Sequence, residues 1–224
     1  MNEKIVLNFA TQNNWYPRGQ RRLMNSLVHH GVDADALFLN DYPNGCPTHK
    51  EAPWGFKVWL FNRAKELGYK YAIWCDSAVW AIRDIKPLFD HIGATGHYLM
   101  TCHDFDCDQT ANDHCLTHFG LTREDAAQIP SIYACIMGLD LHNPRSEEFL
   151  AKWTAAMNAG AFIGQGQRGA TDGSGPRYLF HRHDQVCASI IAHQLGMEYT
   201  SAGILTMPYT EQPNETVCLV TRGM

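Results

Sequence analysis

Short apolar runs alternate with amphipathic stretches almost from the start of the chain. Lys4 to Ala10 has the length and apolar character of a buried strand, and the polar loop TQNNWYPRG follows it. Gln20 to His30 carries Leu23, Leu27 and Val28 at helical spacing, with Gly31 as its stop. Ala36 to Leu39 predicts a second strand, followed by the turn-rich DYPNGCP. The stretch PWGFKVWLFNRAKEL, Pro53 to Leu67, predicts an amphipathic helix closed by Gly68, and YAIWC, Tyr71 to Cys75, a compact strand. Asp84 to Ile92 reads as a helix, His97 to Thr101 as a strand, and Asp104 to Gln128 as polar chain with a helix near Asp113 to Phe119. Ser131 to Leu141 is strand-like with Gly138 inside it; Ser146 to Ala159 is helical, with Ser146 in capping position and Glu148 in its first turn. Gly160 to Gly175 holds six glycines and predicts a long flexible loop that could close over a ligand. His183 to Leu195 predicts a last helix, before short strands near Gly203 to Met207 and Val217 to Val220. Strands alternating with helices predict an α/β fold, with a sheet parallel at least in its first half.

Composition narrows the class. At 224 residues, 45% hydrophobic and 18% charged, the chain fits one globular domain spanning residues 1–224. Its formal charge of −5 lacks the basic footprint of a nucleic-acid binder. The apolar run in MNEKIVLNFA is short and broken by Asn8, so it reads as a strand, not a secretory signal; no stretch reaches the length of a membrane span. A cytoplasmic location is expected, and with it eight reduced cysteines.

The sharpest candidate chemistry lies in YAIWCDSAVWAIRDIKPL, where an apolar strand ends on Asp76. Ligands of open α/β sheets bind beyond the carboxyl ends of strands, and a carboxylate there can hold a cation bridging nucleotide phosphates; alone, Asp76 could equally cap a turn. HRHDQVCASIIAHQLGM gathers His181, Arg182, His183, Asp184 and Gln185 at a helix start, where an anionic side chain is favoured. Lys57 and Arg63, with Arg18, Arg21 and Arg22, are candidate phosphate cations, Lys57 first among them because it follows PWGF near a helix start. In CHDFDCDQTANDHCLTH the cysteines and histidines lack zinc-site spacing, and a calcium loop fails with Gln109 at its sixth position and Cys115 at its twelfth.

The order of these parts resembles the GT-A glycosyltransferases: TQNN at a strand exit, PWGFK on a helix, WCDSA, DIKPLF, FGLTRED and HRHDQ before a late helix. The short single-domain members of viruses and bacteria are the nearest in layout. The resemblance implies a mixed, mainly parallel, Rossmann-like sheet flanked by helices. It also implies transfer of a sugar from a nucleotide-diphosphate donor, such as a UDP- or GDP-sugar, to a hydroxyl of a glycan or small-molecule acceptor. WCDSA stands at the family's Asp-any-Asp motif, with Asp76 at its first position and Ala78 in place of the last Asp. On that basis Asp76 and His183 are candidate ligands of Mn2+ or Mg2+. Ala10, Thr11, Lys57, Asp76, Ser77 and Ala78 are candidate donor contacts, Ala10 and Thr11 facing the base. Asp184 and Gln185 match the pair facing the transferred sugar, Asp184 as candidate general base. Two rivals stay open. A sugar nucleotidyltransferase would want more glycine than TQNNWYPRGQRR offers, and a nucleotide-sugar- or carbohydrate-binding module without turnover would fit Ala78. A metal hydrolase built on His181, His183 and Asp184 lacks further ligands.

Overall fold

The computed structural model describes residues 3–208 and 212–222. Its first half holds β1 (Lys4–Phe9), α1 (Tyr16–His29), β2 (Asp35–Leu39), α2 (Gly55–Glu66), β3 (Tyr71–Cys75), β4 (Val79–Ala81), α3 (Lys86–Thr95) and β5 (His97–Asp106). The second holds α4 (Cys107–Thr110), α5 (Asp113–Phe119), α6 (Arg123–Ala126), β6 (Pro130–Asp140), α7 (Pro144–Asn158), α8 (His183–Gln194), β7 (Thr206–Pro208) and β8 (Leu219–Thr221). Five strands form the central sheet in the order β2-β1-β3-β6-β5. β1 is parallel to β2 and β3, while β6 is antiparallel to β3 and β5, so β6 alone runs against the other four. The α/β sheet that the alternation predicted, parallel in its first half, is thus observed, and so is the mixed, mainly parallel arrangement that the resemblance implied. A smaller sheet, β4-β8-β7, packs beside it.

Both faces of the central sheet are covered, which is why its strands read as apolar runs without a polar side. The two-residue period divides them: Ile5, Leu7, Phe9, Ala72 and Trp74 join one core with α2, α7 and α8. Val6, Ile73, Cys75 and Ile136 join the other, with Leu23 and Leu27 of α1 and Leu88, Phe89 and Ile92 of α3. Gly138 leaves room for Ile92 on that second face, where a Cβ would sit 2.3 Å from Ile92 Cδ1.

Several boundaries differ from expectation for local reasons. α1 begins at Tyr16, because Pro17 occupies its first turn, so the expected loop is shorter. α2 buries most of its circumference instead of one stripe, and Lys57 lies on the buried side. α7 is capped by Asn143, whose Oδ1 accepts from the N–H groups of Arg145 and Ser146. Ser146 is inside the helix, buried, and donates its hydroxyl to Gly96 O at 2.7 Å. β4, α4 and α6 were too short for periodicity to mark them, and β5 continues into the polar HDFD with irregular register. The glycine-rich loop is fastened at defined points. Asp172 accepts from Asn112 Nδ2, Gln165 N and Tyr178 OH, and Asp113 Oδ1 accepts from both the amide and the hydroxyl of Ser174. Among the described residues no helix is long and apolar enough to cross a membrane.

Candidate active site

A cavity of about 610 Å³ opens beyond the carboxyl ends of β1 and β3, the place where open α/β sheets bind ligands. Phe9, Thr11, Asn13, Trp15 and Tyr16 line it from the β1 exit and the start of α1. Tyr42 and His49 come from the connection after β2, Trp54 and Phe56 from the start of α2, and Trp74, Asp76, Ser77 and Ala78 from the β3 exit. The wall is therefore aromatic, with Asp76 as its one acidic side chain and no Lys or Arg among the described residues.

The turn carrying Asp76 is held from several sides. Its amide donates to Cys135 O at 2.8 Å, and Asn8 Nδ2 donates to Cys75 O at 2.6 Å. Gln20 Nε2 in turn donates to Asn8 Oδ1 and Leu39 O, so one buried amide pair ties β1, β2, β3 and α1 together. α1 approaches so closely that a Cβ on Gly19 would lie 2.2 Å from Ser77 O.

Behind the turn lies a buried ion cluster. Lys57 Nζ is 3.3 Å from Asp76 Oδ1 and 3.0 Å from Asp184 Oδ2, and it donates to Ala134 O at 2.9 Å. The Asp184 contact is charge against charge, out of line for a directed hydrogen bond. Trp74 Nε1 also donates to Asp76 Oδ1, at 2.7 Å. Burial acts to discharge Lys57, but Asp184 and Asp76 more than offset it and hold the ammonium above its ordinary value. The same burial pushes Asp184 up against the pull of Lys57; with two carboxylates around one ammonium, the charged form is the one the geometry supports. Nearby, burial and then Asp76 push the Cys135 thiol up to about 12, which removes it as a nucleophile at neutral pH.

Two histidines open α8. His181 is fully buried; its Nδ1 accepts from Asn112 N, so Nε2 donates to Ala161 O at 3.0 Å. Burial, then the neighbouring His183, lower it to about 4, so it is neutral and structural. His183 meets Phe162 O through Nδ1 at 2.9 Å and packs against Trp54, the rings tilted by 32° with centroids 4.8 Å apart. Among the described residues, the non-glycine positive φ values are those of Asn14, Trp54 and His183, at or just before the starts of α1, α2 and α8. Left-handed backbone of this kind gathers where a structure over-determines a site. Neither α1 nor α2 carries a side-chain cap or an acid in its first turn, so the positive ends of both helices border the cavity uncompensated.

Of the residues singled out in the sequence, Thr11, Asp76, Ser77 and Ala78 line the cavity and Ala10 is buried just behind it. Lys57 meets Asp76 from the protein side and Asp184 meets Lys57 behind it; neither lines the cavity, nor do Gln185 and His183. Arg22 donates to Ala78 O and stacks on Trp80, whereas Arg63 pairs with Glu66 at the surface. Cys107 and Cys115 of the Cys/His segment belong to the main core. The aromatic wall and the Asn8–Gln20 pair were not singled out. Their trace in the sequence is the aromatic content of otherwise polar loops (NNWY, DYPN, PWGF) and an amide inside an apolar strand.

The residues present do not fit a divalent cation. Ala78 removes one carboxylate, Asp76 Oδ1 is already engaged by an indole and an ammonium, and His183, which donates Nδ1–H to Phe162 O, does not line the cavity with Asp76. Among the described residues no group of three His, Cys, Asp or Glu side chains could surround one ion.

No protein-family model and no curated protein matches the sequence. Solved structures do resemble the fold. One is a glycosyltransferase involved in the glycosylation of the major capsid of PBCV-1, with TM-score 0.54 and 12% identity over 97% of this chain and 92% of that one. Another is mouse xyloside xylosyltransferase 1 in its apo form, with TM-score 0.53 and 10% identity over 97% of each chain. A third is the apo WbbM bifunctional glycosyltransferase, with TM-score 0.55 and 10% identity over 91% of this chain and 39% of that longer one. The chain thus has a GT-A-like glycosyltransferase fold.

Proposed function

We propose that this protein is a glycosyltransferase that moves a sugar from a nucleotide-diphosphate donor to an acceptor hydroxyl. The observation that carries the proposal is the position of Asp76. It is a carboxylate one-third exposed, on the wall of an aromatic cavity at the strand ends, anchored from behind by Lys57. Aromatic rings such as Trp15, Tyr42 and Trp54 offer faces for a nucleobase or a sugar ring to stack on. The uncapped starts of α1 and α2 favour the negative charge that grows on a departing diphosphate. Asp76 is the group available to take the acceptor proton or to steady positive charge at the anomeric carbon. Asp184 and Gln185 then act indirectly, Asp184 through the ammonium it shares with Asp76.

The test is release of nucleoside diphosphate from a panel of UDP- and GDP-sugars, with and without simple sugar acceptors. Slow release is expected with the right donor, and Asp76→Asn should lower it about 100-fold or more. If no nucleotide or nucleotide sugar raises the melting temperature, the proposal fails, since a ligand of the folded state stabilises it by mass action. The single charge on the wall also favours a second reading, a sugar-binding module. Binding without any release of diphosphate would select it.

A further inference from the structure

Three oxygens converge on Lys57 Nζ: Ala134 O at 2.9 Å, Asp184 Oδ2 at 3.0 Å and Asp76 Oδ1 at 3.3 Å. Ala134 O takes one N–H of the ammonium, and the two carboxylates stand against the rest of it as counter-charges inside the protein. Lys57 is 3% exposed and absent from the cavity wall, with its ammonium 5.4 Å from the centroid of the Trp74 ring. It is therefore not the phosphate contact that its sequence position suggests. Two carboxylates and a carbonyl are instead the donor set of a hard divalent ion, which takes oxygens at roughly 2.1–2.5 Å. Small rotations of Asp76 and Asp184 would close that difference once the ammonium is gone.

We propose that Lys57 is the resident cation of this site, standing where a divalent metal would otherwise bridge Asp76 and Asp184, and that ligand binding here is metal-independent. Lys57 balances the two carboxylates, fixes Oδ1 of Asp76 and keeps metal out of the pair. Removing the lysine leaves two facing carboxylates with no counter-charge, a state relieved by binding an ion. The second half of the proposal rests on the nucleotide-donor reading; the first does not.

The experiment uses Mn2+ alone, followed by thermal melting and by the EPR signal of free Mn2+. The wild-type protein should show no saturable Mn2+ binding. Lys57→Ala should be destabilised in EDTA and gain both saturable binding and a rise in melting temperature with Mn2+. The double variant Lys57→Ala/Asp184→Asn should lose that gain. Saturable, Asp184-dependent Mn2+ binding by the wild type would overturn the proposal. So would a Lys57→Ala protein that stays unfolded with Mn2+, since the ion was to take over the charge. In a second arm, UDP and GDP are tested on the wild type in EDTA and in Mn2+. Equal shifts support metal independence, and a shift lost in EDTA contradicts it. If neither nucleotide shifts melting under any condition, the donor reading fails, while the Mn2+ arm still decides the role of Lys57.

Discussion

Two carboxylates of the same cluster have been sorted by a few ångströms of burial. Asp76 is one-third exposed at the cavity and Asp184 only 6% exposed behind it, both within reach of one ammonium. The sequence places both at plausible positions, a strand end and a helix start, but periodicity carries no information on which of two acids meets solvent. His181 shows the same limit. It reads as a possible ligand or base, whereas both its ring nitrogens are spent inside the protein. Its folded value of about 4 lies below the ordinary histidine value of 6.5, through burial first. The unfolded chain therefore binds the extra proton between those values. The stability His181 contributes is present above about pH 6.5 and lost as pH falls toward 4, by up to about 3 kcal/mol. Chemical denaturation from pH 7 to 4 should show that decline. His181→Asn should be less stable at pH 7 but should give a shallower slope; parallel slopes would assign the titration to another group.

At the scale of elements, the site depends on how tightly α1 is pressed against the β3 exit. Gly19 permits the approach to Ser77 O, and Gln20 on the next step of the helix bonds Asn8 and the end of β2. A methyl group on Gly19 would have to displace the Ser77 carbonyl and the Trp15 ring, so Gly19→Ala should cost about 1–3 kcal/mol. It should also weaken nucleotide binding, because the shifted carbonyl belongs to the residue after Asp76. Normal stability together with normal binding would mean that α1 can move aside. A separate expectation concerns α7. Asn143→Ala removes the oxygen that caps Arg145 and Ser146, and should destabilise the protein by about 1 kcal/mol in urea melts. The sequence suggested Ser146 as that cap. The dihedral that separates a capping residue from a first-turn residue is not written in residue type, and Pro144 at the start of the helix was the better clue.

For the whole molecule, the long apolar strands and helices were legible because the period of a buried face is local information. YAIWC was delimited to the residue and the fold class followed from alternation. The cavity was not legible, since its wall is assembled from the ends of β1, β2 and β3 and the starts of α1 and α2. Nor were the contacts of residues 160–182, where six glycines suggested a flexible loop and the structure shows hydrogen bonds that fasten it. Asp172 is the hub of those contacts. It joins the loop to Asn112 before α5 and to Tyr178 within the loop, while Arg177 pairs with Asp106 and Asp108 farther along. Hydrogen bonds to an ionised acceptor are stronger than neutral ones, so losing this carboxylate should release the segment locally without unfolding the sheet. Trypsin at Arg168 reports this release. In the wild type, cutting there should be slow and little altered by UDP or GDP, because the loop is already fastened. In Asp172→Ala it should be faster, at a melting temperature lowered only slightly. Wild-type cutting that is fast alone and suppressed by nucleotide would instead make the loop a lid that the ligand closes. Its contacts to Asn112 and Asp113 would then describe the closed position.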